Sequence, residues 1–427
     1  MQFFSTHRQS PPVDFKTGVI KSLPPDNGLY FPSEIPNISA TLTKQGISLP
    51  EIAFETLKPF CTPEVPEQTL KDFIEDVFSF EIPVVPVKDN TYSLELFHGP
   101  TYAFKDVGAR FLARCLGYFN KDADKEVTIL VATSGDTGGA VAAGFYQVPG
   151  VSVIILYPSG KVSDLQEKQL TTLGENIQAL EIEGTFDDCQ QLVKQAFLDE
   201  ELNETLNLSS ANSINIARWI PQSIYYSWAC AQLADHDHLV FSIPSGNYGN
   251  LAAGMLAHKM GAPVSRFIAS SNANDVVPRY LVSGQYEPQP TIATYSNAMD
   301  VGKPSNFPRM QELCQSDHQA MTQLISGFSL DDTQTLAAMA SCLSENQYLP
   351  DPHGAIGYQA LEEGLQAHET GIFLETAHPC KFLNVVEKIH PSYQLPDFTA
   401  GLMKKEKVAD QMDPSYEAFK DFLLNIR

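Results

Sequence analysis

The chain has 427 residues, 43% hydrophobic and 19% charged, with 28 Lys+Arg against 51 Asp+Glu and a formal net charge of −23. That length supports two or three domains with a large core, and the balance is that of a globular rather than a disordered chain. The negative charge argues against unassisted binding to nucleic acid or an anionic membrane, but it leaves room for a small phosphorylated substrate.

Seven scattered cysteines, with no CxxC pair and no metal-like Cys/His spacing, fit free thiols in a reducing compartment. The N-terminal MQFFSTHRQSPPVDF lacks a long apolar stretch of the signal-peptide kind, and no apolar run approaches membrane-spanning length. A cytoplasmic protein with no membrane partner is expected.

Residues 1–90 read as an N-terminal unit. Asp26-Asn27-Gly28 is a turn, and Leu29-Tyr30-Phe31 a short strand stopped by Pro32. The spacing of Leu70, Phe73, Val77 and Phe78 predicts a helix over 67–80. The Pro-rich piece 81–87 is an extended connector or edge strand. From about residue 125 strands and helices alternate. VTILVAT (127–133), VSVIILY (151–157), IQALEIE (177–183), HLVFSIP (238–244), SRFIASS (265–271) and GIFLETA (371–377) are apolar strands. Helical runs are predicted over 137–146, 162–173, 186–203 and 249–260. This alternation implies an α/β fold of mainly parallel sheets covered by helices on both faces. The Pro-, Ser- and Asn-rich segment 284–310 is a long functional loop or a crossing between lobes. The tail 396–427 ends in an amphipathic helix, YEAFKDFLLNI.

Four sites in this frame can carry chemistry. In HGPTYAFKDVGARF (98–111), Lys105 stands between Phe104 and Asp106 at the start of a helix. Held there, it can form a Schiff base with an aldehyde cofactor; taken alone, it reads more readily as a solvated lysine on an amphipathic helix. TSGDTGG (133–139) lies between a strand and a helix. Its amides, with the Ser134 and Thr137 hydroxyls, suit a carboxylate, or it is a plain capped turn. PSGNYGN (244–250) is a second such turn, where Gly246 and Gly249 let the backbone approach a ligand. It matches neither GxxxxGK[ST] nor GxGxxG, so a cofactor with one phosphate fits better than a nucleotide. In LETAHPCKF (374–382), Thr376 ends a strand, where its hydroxyl either meets a pyridine nitrogen or merely closes the strand. His378 and His353 read as structural turn residues.

Taken in order, one lysine, two Gly-rich turns and a late strand-end threonine resemble the tryptophan-synthase-β-like, fold type II pyridoxal-phosphate enzymes. Within them the chain is most similar to threonine synthases of the longer type, with their own N-terminal domain. The motifs are DNGLYFP (26–32), FHGPTYAFKD (97–106), TSGDTGGA (133–140), PSGNYGN (244–250), DPHGAIG (351–357) and TAHPCKF (376–382), in the family's order over nearly the whole chain. Departures are small: Cys380 for the usual Ala, Tyr248 for Phe, and Gly354 and Ile356 in a DPHTAVG-like pattern.

The resemblance implies two lobes within a catalytic region 91–427, the smaller and mobile one within about 110–235, beside the N-terminal domain. It implies pyridoxal 5'-phosphate on Lys105. Gly246, Asn247, Tyr248, Gly249 and Asn250 would hold the cofactor phosphate, Thr376 would face the pyridine nitrogen, and Asp136 would flank the ring. Ser134, Gly135 and Thr137 would hold the substrate carboxylate. The implied reaction turns O-phospho-L-homoserine and water into L-threonine and phosphate, with Lys105 as general base. The leaving phosphate needs cations, for which Lys161 and Arg218 are candidates with Asn215 assisting; either cation also reads as an ordinary surface charge. The family contains monomers and homodimers. Three other readings stay open: a dehydratase or phospho-lyase of the same fold, a catalytically silent homologue acting as a binding protein, and a nucleotide-binding module, against which both fingerprints are missing.

Overall fold

The computed structural model describes residues 1–42, 44–123 and 125–425. Thirteen strands can be followed there: β1 Phe3–Ser5, β2 Tyr30–Pro32, β3 Val84–Lys88, β4 Thr91–Glu95, β5 Val127–Ala132, β6 Val151–Pro158, β7 Ile177–Ile182, β8 Asn207–Ser210, β9 Leu239–Pro244, β10 Val264–Ser271, β11 Ile325–Ser329, β12 Thr370–Glu375 and β13 Asp410–Met412. They form a two-stranded sheet β1-β2, a six-stranded sheet in the order β11-β10-β9-β12-β4-β3, and a five-stranded sheet in the order β13-β7-β6-β5-β8. The five-stranded sheet is parallel throughout. The six-stranded sheet is parallel except for its edge strand β3, which runs antiparallel to β4.

Every residue of β5, β9 and β12 is buried. Strands buried on both faces read as unbroken apolar runs because helices cover both sides, which is why VTILVA and LVFSIP are so legible. The strands missing from the sequence reading carry weaker signals. β4 (TYSLE) and β8 (NLSS) are short and polar, and β11 is largely exposed at the sheet edge.

Both sheets have a switch point, where successive connections leave in opposite directions. In the larger sheet it lies between β9 and β12, which pair from Thr370↔Leu239 to Phe373↔Ser242. In the smaller sheet it lies between β5 and β8. Ligands of open α/β sheets bind in the crevice at such points, beyond the carboxyl ends of the strands. PSGNYGN and Thr376 follow β9 and β12, and TSGDTGG follows β5. The helix Lys105–Asn120 carries the chain from the larger sheet to the smaller one.

The N-terminal unit has its own β1-β2 pair, but its side chains join the main core: Phe15 meets Phe119 with ring centroids 6.2 Å apart, and Phe31 meets Trp219 at 5.7 Å. The segment 81–87 supplies β3, an edge strand of the larger sheet. The expected helix over 67–80 is Glu67–Val77. The expected helix over 186–203 is two helices, Phe186–Leu198 and Glu200–Thr205, because Asp199 is extended and its carboxylate caps the second by accepting from the Leu202 N–H. The tail also closes on the smaller sheet. β13 pairs with β7, and the helix Tyr416–Asn425 sets Phe419 and Leu423 into a cluster with Leu130, Ile154 and Leu180. The span 110–235 therefore leaves out part of the smaller lobe. All seven cysteines are free and buried. Among the described residues no helix is long and apolar enough to cross a membrane.

Candidate active site

The turn that carries Lys105 is stitched to the end of β12. Ala103 and Ala377 form an isolated antiparallel bridge. The Phe104 N–H donates to the Thr376 carbonyl at 2.8 Å, and the His378 N–H to the Tyr102 carbonyl at 3.0 Å. The Tyr225 hydroxyl holds the Phe104 carbonyl. Asp106, one residue on, accepts from both the N–H and the hydroxyl of Thr101, closing the turn from inside. These bonds fix the backbone on both sides of Lys105 and bring it to the strand end that bears Thr376.

Lys105 is 15% exposed and its Nζ lies 3.8 Å from Oδ2 of Asp136. Burial pushes its ammonium below the usual lysine range. Asp136 opposes that shift, Lys381 and Arg218 reinforce it, and Asp351 opposes it further. Asp136 is the first residue of the helix Asp136–Phe145, which no side chain caps. Burial alone would raise its carboxyl, but Lys381 and Lys105 hold it well below the usual carboxylate range. Its Oδ1 also accepts from Nε2 of Gln166 at 2.9 Å. At Gly135, with φ of 131°, an added Cβ would overlap that Gln166 amide, so the turn demands glycine. The Thr133 hydroxyl accepts from the N–H groups of Gly135 and Gly138 at 2.9 and 2.8 Å and shapes the loop. Ser134 and Thr137 stay partly exposed.

The second turn is built as a cradle. Tyr248 takes a left-handed conformation at φ 60°, and the helix Gly249–Lys259 that follows has no side-chain cap. Its side chains are engaged in holding the turn. The Asn247 amide donates to Ser213 Oγ at 2.8 Å, and its oxygen accepts from the N–H and hydroxyl of Ser305. The Tyr248 hydroxyl bonds Ser271 Oγ at 2.6 Å, and the Asn250 oxygen accepts from the Tyr226 hydroxyl at 2.7 Å. The Asn250 Nδ2 is buried without a partner. An uncapped helix start beside an unpaired buried donor suits one phosphate, so these residues fit a monophosphorylated cofactor. The segment 284–310 crosses this turn: a Cβ on Gly246 would overlap the Met299 Cα and lie 2.7 Å from its carbonyl oxygen.

The three residues expected at a substrate phosphate fare differently. Arg218 is buried 2% exposed, donates from Nη1 to the Ala211 carbonyl, and keeps an unpartnered buried Nε; burial pushes it down to about 10. Lys161 is exposed and lines a cavity of about 180 Å³ with Thr294, Asn297 and Phe382 of the other lobe. Asn215 is fully buried and committed: its amide donates to the Val19 carbonyl and Ser22 Oγ, and its oxygen caps the turn at Ala217. It ties the Arg218 segment to the N-terminal unit instead of reaching into the crevice.

Sequence reasoning assigned no role to Lys381, Gln166 or Gln169, all buried; the first two bond Asp136, and Gln169 bonds Lys381. Lys381 stood inside TAHPCKF, and that motif was the available signal. Nor did it find the carboxyl pair beneath Thr376. Glu375 accepts from the Asp351 N–H at 3.2 Å and has an unpartnered Oε1, and burial next to Asp351 holds its carboxyl well above the usual range. Asp351 in turn caps the helix Pro352–Gly364 and bonds the His353 ring at 3.1 Å, so His353 serves the turn.

Three family models match the chain: one described as "Pyridoxal-phosphate dependent enzyme" over residues 89–372, "Threonine synthase N terminus" over 2–78, and "Threonine synthase, C-terminal" over 354–423. A curated threonine synthase of Haemophilus influenzae is 45% identical over 99% of this chain and all of its own length; that of Escherichia coli is 44% identical over the whole of both. The solved threonine synthase from Escherichia coli superposes with a TM-score of 0.92 at 43% identity over both full chains. The threonine synthase from Brucella melitensis, solved with PLP bound, gives 0.93 at 34% identity over 99% of this chain and 98% of its own. A threonine deaminase from Solanum lycopersicum, at 0.55 and 15% identity, shares the fold alone.

Proposed function

The chain belongs to the threonine synthase family, and on that premise we propose that it converts O-phospho-L-homoserine and water into L-threonine and phosphate, the last step of threonine biosynthesis, with pyridoxal phosphate as cofactor. The observation that carries this reading is the largely buried Lys105, fixed by the Phe104–Thr376 backbone bond and 3.8 Å from Asp136.

When bound, pyridoxal phosphate supplies an aldehyde that condenses with amines and a conjugated ring that accepts electrons from the substrate α-carbon. The chain's own groups do the rest. Gly246, Asn247, Tyr248, Gly249 and Asn250 would hold the cofactor phosphate through the helix start, Lys105 would hold its aldehyde end, and Asp136 would flank it. Thr376 would offer the pyridine nitrogen a neutral partner. Ser134, Gly135 and Thr137 orient the substrate carboxylate at the second helix start. Lys105, its proton affinity lowered by burial, takes and returns a proton at the α-carbon. Arg218 and Lys161 neutralise the departing phosphate, and Asn215 holds the Arg218 segment in place. The unpartnered Nε of Arg218 and the position of Lys161 on the inter-lobe cavity support this division. Closure of the smaller lobe then excludes water other than the one that adds. The protein acts as a monomer or homodimer in the cytoplasm, without a nucleic-acid or membrane partner; sedimentation of the purified protein reads the oligomeric state.

Purified protein given O-phospho-L-homoserine should release threonine and phosphate in equal amounts. Accumulation of 2-oxobutyrate instead would make it a lyase of the same fold. Lys105→Ala should lose turnover by about a thousandfold or more and lose the visible absorbance of the bound cofactor, while melting like the parent. Retained turnover in that variant would overturn the assignment.

A further inference from the structure

Lys381 has no place in the mechanism above, yet it is fully buried at the centre of the site. It sits in the 3-10 turn Pro379–Phe382 that follows β12, on the side of the larger sheet. Its Nζ bonds Oδ1 of Asp136 at 2.9 Å, Oε1 of Gln169 at 2.9 Å and the Thr101 carbonyl at 2.8 Å. An ammonium has three protons, and these partners use all of them. Asp136 and Gln169 (in the helix Asp164–Thr171) lie on helices that link strands of the smaller sheet, while Thr101 belongs to the lysine turn. The Gln169 amide donates to the same Thr101 carbonyl at 3.0 Å. One nitrogen therefore joins both lobes and the lysine turn.

A neutral donor would serve as a clasp at a lower desolvation cost than a buried cation. The charge has a use because Asp136 faces two amines. Its Oδ1 meets Lys381, and its Oδ2 lies 3.8 Å from Lys105. Were Lys381 neutral, the carboxylate would have Lys105 as its one close cation and would hold a proton on that nitrogen. We propose that Lys381 is a positioning residue that neutralises Asp136 from the side opposite Lys105, leaving the Lys105 nitrogen able to give up its proton while the two lobes stay clasped. The groups that face Lys105 fit this role. Asp136 and Asp351 favour its charged form, Lys381 and Arg218 oppose it, and Asp106 and Tyr225 stand beside Arg218. As seen from Lys105, burial acts most strongly, and Lys381 works against Asp136.

The inference rests on the cofactor reading, and its test reads absorbance instead of turnover. The visible band of the substrate-free holoenzyme is titrated with pH, because that band reports protonation at the Lys105 nitrogen. Lys381→Met removes a repelling charge and releases Asp136, so the midpoint should rise by about one unit. Lys381→Arg keeps the charge and should restore the parent midpoint. Asp136→Asn removes the attraction and should lower it. A purely structural role would lower the melting temperature without moving the midpoints in opposite directions. An unchanged or lowered midpoint in Lys381→Met overturns the proposal. If that variant does not fold, Asp136→Asn decides: a fall supports the proposal, and no change or a rise overturns it. A parent protein without a visible band that Lys105→Ala abolishes removes the cofactor reading and this inference with it; a normal band that none of the variants shifts removes the inference alone.

Discussion

Gly246 shows how a single residue serves both the ligand reading and the packing. Its glycine was legible as part of a phosphate-type turn, but the atoms that forbid a side chain are the backbone of Met299. Those atoms cannot give way easily, since they are main chain. Gly246→Ala should therefore cost about 1–3 kcal/mol of stability and weaken cofactor affinity as the segment around Met299 is pushed off the cradle. Thermal melting and titration of the variant with pyridoxal phosphate check both; an unchanged melting temperature would mean that segment is loosely seated. Lys105 was legible because its motif is local. Lys381 was not, because its partners Thr101 and Gln169 lie 280 and 212 residues away in sequence, and a lone lysine after a strand says nothing of what will surround it. The surroundings of Asn215 were illegible for the same reason: its amide donates to Val19 and Ser22 of the N-terminal unit.

Among the elements, the buried parallel strands were the most legible, and the ends of the chain the least. The tail reads as an amphipathic helix, and Tyr416–Asn425 is one. Nothing local says which surface its apolar face will cover. The answer involves Asp199, which breaks the predicted helix 186–203, caps Glu200–Thr205, and bonds the Tyr416 hydroxyl at 2.7 Å and Lys420 Nζ at 2.8 Å. A chain ending at residue 409 would lose β13 and uncover the surface under Phe419 and Leu423. Each of those side chains contributes about 1.5–3 kcal/mol by burial, so the truncated protein should lose about 3–6 kcal/mol, read as a lower denaturation midpoint. A truncated chain that melts like the parent would show that the tail is dispensable to the smaller sheet.

For the molecule as a whole, the sheets and the N-terminal unit share one continuous core. Phe3, Phe15 and Phe31 are packed in the same cluster as Phe111, Trp219 and Met255. Asp76, in the helix Glu67–Val77, accepts from Arg110 at 3.0 Å and Arg114 at 2.8 Å, both on the helix that begins with Lys105. Deleting residues 1–78 would uncover much of that cluster, a loss exceeding the roughly 5–15 kcal/mol that keeps a domain folded. The shortened protein should fail to give a cooperative melting transition. A soluble, cooperatively melting fragment that still binds pyridoxal phosphate would make the N-terminal unit an independent addition.

By itself the sequence determined the local chemistry: apolar strand runs, two glycine-dependent turns, a lysine at a helix start and a threonine at a strand end. Each of these depends on neighbours within a few residues, where backbone geometry and side-chain size leave few choices. Tertiary structure alone decided which strand ends meet at the switch points, that Asp136 stands between two amines, and that Asn215 holds the N-terminal unit while Arg218 keeps a free donor. Those outcomes rest on contacts between segments far apart in sequence, and burial and charge at such contacts exist only once the sheets have assembled.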